Sequence, residues 1–452
     1  MEMAHWHRLA QVCRRWRFVV FAYPRRLDLR IVSTNNKPIR DAPGFWPTAL
    51  PVIMRYRSPS AEDEDNISDI LKNPARICEM DIEITSSLLE RCTPFLEESF
   101  PALEYLRLKS QETMGANLRG ELVLPDHFLG SSTPRLSVVR LHDTNFPTLP
   151  RLLSSSKNLV SLQLEKIPPQ GIFTAQDLAV GLSPATKLES LKIEIYGYSY
   201  PPRPPRLNEL PPLPTRAVLP ALLEFDYVGE SSYLGDFASR IDAPIIEKIG
   251  ATFICDFEGH NTHELCGFFA RGEELRSSRR RTTHIRFFDE FIIFTHHFFL
   301  SPSLPGSFRV RLLDHSLLDE LVALMTQICL GFKSWGILHK VTRFEIEGFH
   351  ETSRWYRELD PADWLTFLRA LTDVKRLHVV GTLVSSVIFA LAQVAGEATC
   401  EILPNLRHLH LPGAFALTSA SIGPFIAARE LYGLPVVVHY KGLDWHDDCS
   451  DE

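Results

Sequence analysis

Seventeen histidines, eight cysteines and 55 acidic residues give this 452-residue chain ample material for catalysis or metal binding, so spacing has to decide. His5 and His7 stand in "HWH", and His296 and His297 in "THHFF". A transition-metal site needs such imidazoles joined by a thiolate or carboxylate at ligand spacing. Neither pair has one, and both are read as ordinary surface or strand histidines. Cys13, Cys78, Cys92, Cys255, Cys266, Cys329, Cys400 and Cys449 are scattered without a Cys-x-x-Cys pair, the pattern of reduced thiols in an intracellular protein. No glycine-rich phosphate loop, nucleophile elbow or His-Glu-x-x-His helix is present. The expectation is a chain without catalytic residues, cofactor or metal.

The strongest charge cluster is "RSSRRRTTHIR" at 276–286, which nucleic acid or a nuclear-import receptor could read. Its acidic flanks and lack of interleaved aromatics favour a solvated loop. The net charge of -7 gives no global attraction to phosphate backbones or anionic lipid. A nucleic-acid partner is therefore not expected. Arg8, Arg14, Arg15 and Arg17 interrupt every apolar run near the N-terminus, which excludes a signal peptide. The aromatic stretch 287–300 carries Asp289 and Glu290 and is too short to span a bilayer. The expected place is cytosol or nucleus, with no membrane partner.

The elements that would carry any function are legible as a repeat. After a proline or polar turn comes apolar-x-x-apolar-x-apolar, in "ALEYLRLK", "RLSVVRLH", "NLVSLQLE", "KLESLKIE", "ALLEFDYV", "KVTRFEIE", "DVKRLHVV" and "NLRHLHLP". "RICEMDIE" is a weaker copy. The final two-residue step is strand periodicity. The intervening segments, such as "SSLLERCTPFLEESF" and "DWLTFLRALTD", carry apolar residues at three to four, the helical period. The fold class expected is α/β, a leucine-rich-repeat solenoid: an open curved array with a parallel inner sheet and outer helices. An ordinary α/β domain is the alternative. It would show continuous apolar strands, whereas these alternate apolar with charged residues.

Two segments punctuate the array. "SPSAEDEDNISD" at 58–69 reads as an acidic linker ending in a capped helix around "ISDILKN". The proline-dense 200–220 reads as a surface loop, with "PPRPPR" also fitting a polyproline ligand.

In each copy the residue between the last two apolar positions points away from the core. That position holds Arg107, Arg140, Gln163, Lys192, Asp226, Glu345, His378 and His410 in turn. These residues are the candidate face for an unknown client protein, basic in its N-terminal half and more acidic beyond.

The opening helix places Trp6, Leu9, Cys13, Trp16 and Val20 at steps of three or four, before Pro24 and a first strand with Leu27, Leu29 and Ile31. "LAQVCRRWRFVVFAYPRRLDL" resembles the second half of an F-box. The remainder, including "FPALEYLRL" and "FPTLPRLLSSSKNLVSLQL", resembles the leucine-rich-repeat bodies of the expanded F-box-like families of mushroom-forming fungi. The resemblance implies a substrate receptor of a cullin-RING (SCF-type) ubiquitin ligase. Leu9, Val12, Cys13 and Trp16 would dock on the ligase's small adaptor subunit, and the repeats would hold the client. A complete F-box has an earlier helical segment, for which the five residues before Trp6 leave no room. Docking is expected to be weakened or lost, which leaves open a repeat scaffold without ligase role whose first helix caps the core. The organisation expected is a partial F-box over 1–26, first strand and linker over 27–73, repeats over 74–440 and a polar tail over 441–452.

Overall fold

The computed structural model describes residues 13–22, 30–37, 50–111, 122–168, 171–195, 216–229, 231–246, 248–253, 281–289, 299–301, 307–313, 326, 330, 341–350, 360–381, 383–394, 398–412 and 418–440. They fall into two compact units, divided between Ala221 and Leu222.

The first unit opens with helix α1 (Arg14–Ala22) and then alternates strand and helix. Its strands are β1 (Ile31–Thr34), β2 (Val52–Tyr56), β3 (Ile77–Ile84), β4 (Tyr105–Ser110), β5 (Val138–His142), β6 (Ser161–Ile167), β7 (Ser190–Ile195) and the short β8 (Ala217–Val218). Helices α2 (Ala61–Leu71), α3 (Ser86–Leu96), α4 (Leu149–Ser155) and α5 (Ala175–Leu182) lie between them in sequence. From β1 to β7 each strand pairs in parallel with the next in the chain. The order across the sheet is thus the order of the sequence.

Alternation explains why these segments are strands with one face buried. In β4 and β7 every second side chain is buried. Leu106, Leu108, Leu162, Leu164 and Leu191 are all buried, as the repeat spacing predicts. Parallel register lines them up as Met54–Met80–Leu106–Val139–Leu162–Leu191 and Tyr56–Ile82–Leu108–Leu141–Leu164–Ile193. The helices complete the core with their own period: Leu88, Leu89, Cys92 and Leu96 of α3 and Leu178 and Leu182 of α5 are buried. Thr85 and Thr174 cap those two helices by accepting from the Leu88 and Asp177 amides. Helices α4 and α5 approach closely at Gly181, where a Cβ would lie 2.7 Å from the Pro150 carbonyl oxygen.

The acidic stretch 58–69 is not a linker. Its "AEDED" forms the first turns of α2, because Ser60 and Asp63 make a capping box. Ser60 Oγ accepts from the Asp63 amide, and the Asp63 carboxylate accepts from the Ser60 amide at 2.9 Å. Burial pushes the Asp63 carboxyl up, but hydrogen bonds from Ser60 and Asn35 outweigh it and hold it below its ordinary value. Three acidic residues in the first turn also suit the positive end of the helix dipole.

The second unit contains β9 (Glu224–Gly229), helix α6 (Ser231–Arg240), β10 (Ile241–Asp242) and β11 (Lys248–Phe253), with β9 and β11 parallel. A further sheet is formed by β12 (Arg281–Asp289), β13 (Phe299–Ser301), β14 (Ser307–Leu313), β15 (Val341–His350), β16 (Arg376–Gly381), β17 (His408–His410) and β18 (Val437–His439). Its order is β13-β14-β12-β15-β16-β17-β18, parallel except for the antiparallel β13–β14 pair. Helices α7 (Pro361–Ala370), α8 (Leu383–Ala392), α9 (Ala398–Glu401) and α10 (Thr418–Leu431) accompany its later strands. Leu377, Leu409 and Leu411 are buried, again matching the repeat spacing.

Residues 281–286 of the basic run are not a loop but the start of β12, which lies between β14 and β15. Ile285 near the end of the run and Phe287 just beyond it, two apart, already carry strand periodicity. This is also where strand order stops following chain order, within a stretch that holds no copy of the repeat. Residues 276–280, 200–215 of the proline-dense 200–220 and the histidines of "HWH" and "THHFF" lie outside the described residues, as do Leu27 and Leu29 of the expected first strand. The structure begins that strand at Ile31.

One side chain secures the end of the second unit. Arg429 of α10 is fully buried and has no carboxylate partner among the described residues. Its guanidinium instead donates to the carbonyl oxygens of Ile402, Leu403, Pro404 and Leu406 at 3.1–3.3 Å, and to that of Leu434. The turn leading into β17 is thereby tied to α10.

The architecture is α/β with an all-parallel sheet alternating with helices, a description that fits leucine-rich-repeat-like and Rossmann-like parallel folds alike. Among the described residues no helix is long and apolar enough to cross a membrane.

Candidate protein-interaction face

Opposite the core, the sheet of the first unit carries a polar face. Its central row, set by register, is Arg55–Asp81–Arg107–Arg140–Gln163–Lys192. The four candidate residues of the first unit therefore stand side by side on adjacent strands. Arg107, Gln163 and Lys192 are half-buried, and Arg140 is exposed.

The expected basic character is largely cancelled locally. Arg107 donates to Asp81 at 2.7 Å, Lys109 to Glu83 at 2.9 Å and Lys192 to Glu165 at 2.8 Å. Arg30 and Arg55 converge on Glu79 at 2.6 and 3.1 Å, and Glu194 lies 3.4 Å from Lys192. The hydrogen bond to Asp81, with its charge, raises the Arg107 guanidinium above its ordinary value. Burial pushes the Glu165 carboxyl up, but Lys192 and then His142, whose Nδ1 lies 3.2 Å from Glu165 Oε2, outweigh it and hold it below the ordinary value. Glu83 follows the same logic: burial raises it, and Lys109 and Ser58 bring it down.

Arg140 is the exception in the row. Among the described residues it has no carboxylate at ion-pair distance, and its guanidinium carbon lies 5.9 Å from the ring centroid of Tyr105.

In the second unit, Asp226 is half-buried on β9, and Glu345 stands on β15 in register with His378. His378 and His410 contradict the expectation of exposure: they retain only 7% and 9% of their surface. The cause is a cluster of four histidines on β16, β17 and β18. The His410 ring stacks on His439 with centroids 4.3 Å apart, and His378 meets His410 edge-on at 5.9 Å. His408 Nδ1 lies 3.1 Å from His439 Nε2. Burial, then the neighbouring His439, His378, His408 and Arg376, push the His410 imidazole down to about 4. Among the described residues no group of three or more His, Cys, Asp or Glu side chains is arranged to hold a metal ion.

Of the adaptor-docking candidates, Leu9 and Val12 lie outside the described residues. Cys13 is exposed, and on α1 Trp16, Phe18 and Val19 are 52%, 76% and 48% exposed. A helix capping the core would bury these side chains; this one leaves them at the surface.

The repeat spacing finds the central row, but it misses the carboxylates that answer it, the Tyr105 platform, and His408 and His439. The signal for the last two is the i, i+2 spacing in "HLH" and the matching strand "VVH" 29 residues after His410, read in parallel register. Comparison of the sequence with protein-family models and with curated proteins finds no match to either.

Proposed function

We propose that the chain is a leucine-rich-repeat solenoid serving as a protein-interaction module. In this reading it is a substrate receptor of an SCF-type cullin-RING ubiquitin ligase and holds its client on the polar sheet face. It acts in the cytosol or nucleus and performs no chemistry of its own. The observation that carries the reading is the unbroken parallel ladder from β1 to β7, with one face buried and one polar. A doubly wound sheet reverses its strand order and binds its ligand at that switch point; β1 to β7 contain no reversal. A repeat array instead offers its ligand a broad face, one residue per strand.

The ligase role is supported by α1. Its Trp16, Phe18 and Val19 are exposed apolar side chains on the segment that resembles an F-box, with Trp16 and Val19, three apart, on one face of the helix. Exposed aromatic residues of this kind dominate docking energies. The test is co-purification of the full chain with the adaptor and cullin subunits, wild type against a Trp16→Ala, Phe18→Ala double variant. Recovery of the complex with wild type, reduced at least tenfold in the variant, is expected. Equal recovery, or none with either protein, removes the ligase role and leaves a repeat scaffold.

A further inference from the structure

We infer that Arg140 is the anchor of the sheet face and takes a single carboxylate side chain, an Asp or Glu, from the partner polypeptide. The inference rests on the reading of that face as a protein-binding surface. Three of the four basic residues in the central row are already engaged: Arg55 by Glu79, Arg107 by Asp81 and Lys192 by Glu165. A partner gains little from these cations, because it would have to displace a carboxylate already in place.

Arg140 differs in three ways. It is exposed, it lacks an ion-pair partner among the described residues, and it stands directly across from Arg107 in register. Like charges opposed on neighbouring strands repel, and Asp81 answers only one of the two. An incoming carboxylate answers the other. Tyr105 sits 5.9 Å from the guanidinium carbon and offers it an aromatic surface on one side. Gln163, its neighbour on β6, is neutral and can hydrogen-bond the flanking peptide.

The charge count also selects the ligand. A phosphate dianion calls for more than one cation, but the cations on either side in the row, Arg107 and Lys192, are held by Asp81 and Glu165. Those same carboxylates would repel the second negative charge. One guanidinium without a carboxylate partner among the described residues, beside neutral and self-paired neighbours in its row, matches one carboxylate flanked by uncharged residues.

The probe is a displayed library of random dodecapeptides selected on the full chain, with selected clones then assayed on Arg140→Glu, Arg140→Gln and Gln163→Trp. Circular dichroism confirms that each variant is folded. We expect clones that share one acidic position, bind Arg140→Gln and Arg140→Glu at least tenfold more weakly, and regain binding to Arg140→Glu when that residue becomes lysine. Clones lost on Gln163→Trp but indifferent to both Arg140 variants would overturn the anchor while keeping the face as a binding surface. Clones indifferent to all three variants would overturn the anchor and the interaction face together. Replacing the shared acidic residue by phosphoserine should weaken binding; tighter binding would overturn the choice of carboxylate.

Discussion

Acidification should destabilise the second unit through His410, in a window set by its surroundings. A histidine free in the unfolded chain titrates near 6.5, and in the folded protein His410 is pushed down to about 4. Between these values the unfolded state binds the proton and the folded state refuses it. Its contribution to stability is therefore complete above pH 6.5, is lost as pH falls from 6.5 toward 4, and stays lost below that. The difference of 6.5 minus about 4, at 1.36 kcal/mol per unit, sets an upper bound between about 3 and 4 kcal/mol. The groups facing the ring are His378, His408, His439 and Arg376, all of which disfavour its proton. His410→Phe keeps an aromatic ring against His439 and cannot titrate. Urea unfolding of both proteins, followed by circular dichroism from pH 7.5 to 4.5, gives the test. The wild type should lose more stability than the variant over this range, by about 2 to 3 kcal/mol, with most of the difference developing below pH 6.5. Taking the difference removes carboxylates such as Glu83 and Glu165, which titrate in both proteins. Parallel pH profiles would refute the reasoning, and so would a wild type that loses less than the variant.

Arg429→Met should cost about 3 to 5 kcal/mol, because it strands the carbonyl oxygens of Ile402, Leu403 and Leu406 in a buried turn. Arg429→Lys should recover only part of this, since one ammonium cannot span them; chemical denaturation measures both. Gly181→Ala should destabilise the first unit by about 1 to 3 kcal/mol, as the new Cβ would lie 2.7 Å and 2.9 Å from backbone atoms of Pro150 that no side-chain rotation can move. Leu162→Ala, in the middle of a core row, should cost about 2 to 5 kcal/mol in the same assay, whereas the exposed Arg140→Gln should stay within about 0.5 kcal/mol.

How far the sequence reveals this protein depends on whether a feature is local. The strands and their core leucines are legible because alternation at period two is written in consecutive residues, as in Leu106 and Leu108 or Leu162 and Leu164. Helix α3 is legible for the same reason at its own period. The ion pairs are not local: Arg107 and Asp81 are 26 residues apart, and so are Lys109 and Glu83, and they meet only once parallel register is fixed. A row read one residue per strand therefore looks basic, while its counter-charges sit in the same or the neighbouring row. His410 misleads similarly, since alternation places it on the polar face and only stacking by His439 and His378 buries it. Charge runs are the weakest guide. "AEDED" reads as a linker until Ser60 is recognised as a cap, and "RTTHIR" reads as a loop although its Ile285 stands at strand spacing from Phe287, which follows it.

The agreement between chain order and strand order in the first unit also bears on how the protein is made. Each strand from β2 to β7 finds its partner already synthesised as the preceding strand of the chain, so the sheet can grow from the N-terminal end as the ribosome delivers it. No edge in this stretch has to wait for a distant segment. The second unit offers no such path at β12, whose neighbours β14 and β15 both come later in the chain. Until residue 350 has emerged, β12 lacks one or both of its flanking strands, and that interval is where the nascent chain has most need of protection from other open edges.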